Sequence, residues 1–148
     1  MTRSTMAFGA AILAMALAAC ASTPPKAPPA AEATAPRADL SATSWRLETL
    51  DGAPPVDGSS PTLAFGTDGR VSGTTGCNRY FGAYSAETGF GQMGSTRMAC
   101  PGPLMQQERT FFDIFRGASN VMIDSDNLLV VTGTDGRRAV FAAASTGS

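Results

Sequence analysis

Histidine is absent from this 148-residue chain. That absence excludes any Ser-His or Cys-His nucleophile pair and any His-ligated zinc site. It also removes the one side chain whose ordinary pKa lies near neutrality. Concentrated positive charge is missing as well. Lys and Arg number 11 against 12 Asp and Glu, and the one adjacent basic pair is Arg137-Arg138. A nucleic-acid binder gathers its positive charge on one face or segment, so no nucleic acid is expected as a partner. The chain has no Cys-x-x-Cys and no paired-carboxylate or metal-ligand constellation. Its longest apolar run, Met6 to Leu17, is about 12 residues, where a membrane-spanning helix needs about 20. These gaps argue against an enzyme, and no cofactor or metal is expected.

What is present divides the chain into four segments. Apolar content of 43% with 16% charged residues is ordinary for a globular protein, and the length allows one domain. Residues 1–19 read as a signal peptide: Arg3 supplies the positive end, and the apolar run has the length of a leader's hydrophobic region. The run ends in Leu17-Ala18-Ala19-Cys20, which resembles a bacterial lipobox. Small residues at 18 and 19 suit a narrow peptidase cleft, and the Cys20 thiol is the nucleophile that accepts a diacylglyceryl group. Each buried methylene contributes about 0.8 kcal/mol, so the two or three acyl chains of such a lipoprotein anchor stably where one is marginal. The expected membrane partner is therefore reached through lipid on Cys20. Ala21 stands where an inner-membrane retention signal often has Asp, which favours the outer membrane by resemblance to enterobacterial sorting.

From Cys20 to Thr43 the composition is rich in Ala, Pro, Ser and Thr, with prolines at 24, 25, 28, 29 and 36. Proline fixes φ and lacks a donor, so this segment reads as a disordered spacer. Extended at about 3.1 Å per residue, it reaches up to roughly 70 Å from the membrane.

Residues 44–143 read as the folded domain and residues 144–148 as a flexible tail. Trp45, Leu47 and Thr49 alternate in Ser44–Leu50, and Leu63 and Phe65 in Thr62–Phe65. Asp51-Gly52, Asp68-Gly69 and Asp135-Gly136 are turn signals, the last two closing hairpins. Further strands are expected at Arg70–Gly73, Phe81–Ser85, Gly89–Met93, Asn120–Ile123, Leu128–Thr132 and Arg138–Ala142. Asp124 and Asp126 read as flanking a turn before Leu128 rather than as an acid–base pair. Pro103–Arg116 is the exception, with Leu104, Phe111, Phe112 and Phe115 at helical spacing, Met105 at the margin, and Gly117 placed to end the helix. The expected fold is mainly β: an antiparallel, partly closed barrel-like sheet covered by one α-helix, with the three phenylalanines in its core.

With Cys20 assigned to lipid, Cys77 and Cys100 remain. An even remainder in an exported domain reads as one disulfide, with a redox-active pair or two reduced buried thiols as the competing readings. Around them the chain reads Gly73-Thr74-Thr75-Gly76-Cys77-Asn78-Arg79-Tyr80, then Ser95-Thr96-Arg97-Met98-Ala99-Cys100-Pro101 and Glu108. This pattern resembles the META domain, the family that includes the heat-shock protein HslJ. The likeness extends from Trp45-Arg46-Leu47 to the segment Leu128–Phe141. It implies an antiparallel β-rich fold with one helix, occurrence on envelope lipoproteins, and links to heat shock, antibiotic tolerance and virulence. It carries over no catalytic residues. Arg79 and Arg97 are the candidate partners of a buried Glu108 carboxylate, or contacts for an external ligand. Three functional readings follow. One is a non-catalytic envelope lipoprotein acting in stress tolerance through protein contacts. The others are a barrel that holds a small apolar ligand and a thiol-disulfide redox protein using Cys77 and Cys100.

Overall fold

The computed structural model describes residues 39–144. The leader, lipid attachment at Cys20, most of the spacer and the last four residues lie outside the described residues. Nine strands and one helix make up the rest: β1 (Ser44–Leu50), β2 (Thr62–Phe65), β3 (Arg70–Thr74), β4 (Arg79–Ser85), β5 (Gly89–Phe90), β6 (Gly94–Ser95), α1 (Gly102–Arg116), β7 (Ala118–Ile123), β8 (Leu129–Gly133) and β9 (Arg138–Ala143). The sheet runs β5-β4-β3-β2-β1-β9-β8-β7, with β6 also paired to β4, and every pairing is antiparallel. Its two ends curl toward each other. A side chain at Gly89 of β5 would begin 3.8 Å from the Ala118 carbonyl of β7, so the sheet is a nearly closed barrel.

Turn chemistry sets the registers. Asp51 and Gly52 both take positive φ, 52° and 78°, which closes a two-residue turn between Leu50 and Ala53. Gly69 and Gly136 supply the left-handed residue of the two Asp-Gly turns that close hairpins. At the turn before β8, Asp124 Oδ1 accepts from the N–H groups of Asp126 and Leu128, each at 2.9 Å. Asp124 is thus a turn-capping residue.

Strand alternation fills the barrel. Trp45 and Leu47 of β1, Leu63 and Phe65 of β2, Val71 of β3, Tyr80 of β4, Leu129 and Val131 of β8, and Ala139 and Phe141 of β9 are all buried. α1 closes the core with Phe111, Phe112, Ile114 and Phe115. Phe111 and Phe115 stack at 4.1 Å, Phe115 meets Phe90 at 4.6 Å, and Tyr80 meets Phe111 at 5.1 Å. Each such side chain contributes on the order of 1.5–3 kcal/mol by burial, and aromatic pairs add about 0.5–1.5 kcal/mol.

Three local expectations change. In β1 a bulge between Leu47 and Thr49 shifts the alternation, so Leu50 rather than Thr49 faces the core. The strand expected over Gly89–Met93 is strand only at Gly89–Phe90, and β6 follows beyond it at Gly94–Ser95, both along one edge of β4. Glycines at 89, 91 and 94 give this segment little side chain to pack, and the Phe81 ring occupies the space above Gly94. Ordered chain also begins before residue 44. Leu40 is buried in the core, and the Trp45 indole donates to Thr43 Oγ1 at 2.8 Å.

Candidate functional site

The loop joining β3 to β4 is built to approach α1 closely. Thr75 N–H donates to the Asn78 carbonyl at 2.9 Å, and Gly76 between them has φ 98°. A side chain at Gly76 would begin 2.8 Å from both Gln107 Nε2 and Ser59 Cβ, so only glycine fits between loop and helix. This turn presents Thr75 and Asn78 to the helix, both almost wholly buried.

Asn78 is the hub of the polar network. Its Oδ1 accepts from Thr96 Oγ1 and from the Met98 N–H, each at 2.8 Å, and its Nδ2 donates to Glu108 Oε1 at 3.1 Å. The second Glu108 oxygen accepts from Thr75 Oγ1 at 2.7 Å. The residue before Glu108, Gln107, donates through Nε2 to the Thr75 carbonyl at 2.7 Å, while its Oε1 accepts from Val56 N–H at 2.7 Å. Beside this network Cys77 and Cys100 form a disulfide that ties the loop to the start of α1, with Cα atoms 6.1 Å apart. Among the described residues no buried side-chain polar atom lacks a partner, as a natural core requires.

The expected ion pair at Glu108 does not form. Among the described residues the ion pairs are Arg46–Glu48, Arg70–Asp68, Arg116–Asp113 and Arg137–Asp135. Neutral donors from the tight turn reach Glu108 instead. Arg79 sits between two buried residues, Asn78 and Tyr80, so strand alternation turns its side chain outward. Its backbone pairs with Thr96: Arg79 N–H donates to Thr96 Oγ1 at 3.1 Å, and Thr96 N–H to the Arg79 carbonyl at 3.0 Å. Arg97 is exposed and lines the same groove as Glu108 without pairing to it.

That groove, of about 680 Å³, runs between α1 and the segment 95–99. Met98, Met105 and Phe112 supply its apolar surface, and Arg97, Arg109 and Arg116 its charged margin. Arg116 is engaged with Asp113 at 3.2 Å, and Arg109 donates to Gln106 Oε1 at 2.7 Å. Met98 is 61% exposed. Gln107 is a buried anchor not expected from its polar character, although it precedes Phe111 by one helical turn and Ile114 by two. That spacing was the available signal.

The profile of the META domain matches residues 38–146. The chain belongs to the META domain family. The fold is also that of a protein from Burkholderia xenovorans solved by NMR, with 28% identity, a TM-score of 0.59, and coverage of 72% of this chain and 84% of that one. No curated protein matches the chain in sequence. In this META domain the two halves of the motif, Gly76-Cys77-Asn78 and Thr96-Arg97-Met98-Ala99-Cys100-Pro101, are one structural unit. They are joined by the Asn78 side chain and by the disulfide. The family is not known as a catalytic one.

Proposed function

We propose that the protein is a lipid-anchored envelope protein, tethered through Cys20 and facing the periplasm from the outer membrane. In this reading its META domain acts without catalysis, supporting envelope stress or antibiotic tolerance by contact with a protein partner. The observation that carries the reading is the groove along α1. Its Met98 is exposed beside Met105 and Phe112, and Arg97 stands at the margin with no ion-pair partner among the described residues. Flexible, polarisable methionines serve adaptable binding surfaces, and arginine is enriched where proteins meet.

The polar cluster beneath the groove offers little chemistry. Both Glu108 oxygens already accept hydrogen bonds, so the carboxylate is committed to holding the β3–β4 loop. A small apolar ligand inside the barrel is the weaker reading, because side chains from both ends of the sheet and from α1 fill that interior. Cross-linking in native envelopes tests the proposal, comparing the lipidated protein with Cys20→Ala. A reproducible protein adduct that is lost in Cys20→Ala is the expected result. Recovery of no reproducible adduct from the lipidated form overturns it.

A further inference from the structure

Three sulfur atoms converge where the β3–β4 loop meets the start of α1. Cys77 is bonded to Cys100, and Met105 Sδ lies 4.0 Å from Cys77 Sγ. Each is held by rigid backbone. The Thr75–Asn78 turn fixes Cys77, the first turn of α1 fixes Met105, with the Leu104 and Met105 N–H groups both donating to the Pro101 carbonyl, and Cys100 directly precedes that Pro101 N-cap. Cys77 and Cys100 are half-buried rather than sealed, so a small reductant can reach them.

We propose that, once the disulfide is reduced, the Cys77 and Cys100 thiolates and the Met105 thioether bind one cuprous ion. Thiolate and thioether ligands together select Cu(I). A trigonal site with metal–sulfur bonds of about 2.3 Å places its three sulfurs about 4 Å from one another. Cys77 and Met105 already stand at that separation, and Cys100 Sγ, bonded to Cys77 in the disulfide, moves away from it once reduced. The site carries one net negative charge when filled, and the N-terminal end of α1 beside Cys100 favours that charge.

The steps balance. An external dithiol gives two electrons and two protons to the disulfide, leaving two cysteine thiols and the reductant's own disulfide. Cu(I) then displaces both thiol protons to solution and forms two Cu–S bonds, while Met105 Sδ donates a lone pair. Copper does not change oxidation state.

The test uses the full chain carrying Cys20→Ala, solubilised in detergent and reduced with a dithiol under anaerobic conditions. Cu(I) is titrated in competition with bicinchoninate. Trp45, buried and the sole tryptophan, reports by fluorescence whether the reduced chain keeps its fold. The expected result is one Cu(I) per folded chain, abolished in Cys77→Ser. Met105→Leu is expected to weaken binding by at least about tenfold, the loss that even supporting residues of metal sites produce. Met122→Leu, on distant β7, is expected to leave binding unchanged. Unfolding on reduction, absence of stoichiometric binding, or equal effects of Met105→Leu and Met122→Leu would each overturn the site.

Discussion

Asn78→Ala tests the hub that unites the two halves of the motif. The substitution removes an acceptor used by Thr96 Oγ1 and Met98 N–H and a donor used by Glu108 Oε1. A net hydrogen bond is worth about 1 kcal/mol, a bond to a charged group about 1.5–3 kcal/mol, and a partner left unsatisfied in the interior costs more. Thr96 and Met98 are exposed residues, so water can replace part of what they lose, whereas Glu108 is half-buried. The expected destabilisation is about 3 kcal/mol, or roughly 12–24 °C in Tm for a domain of this size. Urea unfolding followed by Trp45 fluorescence measures it, with an unchanged m-value as the check that only stability moved. A cycle with Glu108→Ala should return a coupling on the order of 1 kcal/mol, since the two side chains share a bond. A loss below about 1 kcal/mol for Asn78→Ala, the scale of a surface change, would refute the hub.

Two further predictions concern Tyr80 and Gly73. The Tyr80 hydroxyl donates to the Thr62 carbonyl at 2.7 Å, and burial pushes its phenol far above the usual range. In the unfolded chain the phenol ionises near pH 10 while the folded one stays neutral, so the native protein loses stability as pH rises through that value. Tyr80→Phe should cost about 1 kcal/mol at neutral pH yet show a shallower alkaline loss between about pH 8 and 10.5 in urea titrations. Equal alkaline slopes for the two proteins contradict this. Gly73→Ala would place its Cβ 2.0 Å from the Thr62 carbonyl oxygen and 2.8 Å from Tyr80 Oη. Because the nearer obstacle is backbone, the expected cost is at least about 3 kcal/mol by thermal melting.

The parts of the fold governed by local rules were legible in the sequence. Alternation and turn residues placed β1 and β2 at their observed bounds, and the phenylalanines of α1 at helical spacing declared its buried face. What was not legible depends on long-range geometry. The bulge in β1 is set by its pairing with β9, which a pattern within β1 does not contain. The glycine-rich stretch from 89 to 94 has too few side chains to express a period, so its division into β5 and β6 followed from the edge of β4. The candidate site shows the same division. Glu108 reads as a carboxylate in need of partners, and the sequence favours Arg79 and Arg97, but the fold supplies Thr75 and Asn78 from the turn at Gly76. Met98 and Gln107 gained their roles from what α1 faces, which no local window shows.

A photoreactive residue at position 98, in the lipidated protein within its own envelope, tests the proposed contact surface most directly. Position 122 on β7, also exposed, serves as the control. The groove reading predicts a discrete protein adduct from position 98, weakened by Arg97→Glu and absent from position 122. Adducts of equal pattern from both positions, or none from position 98, would contradict it.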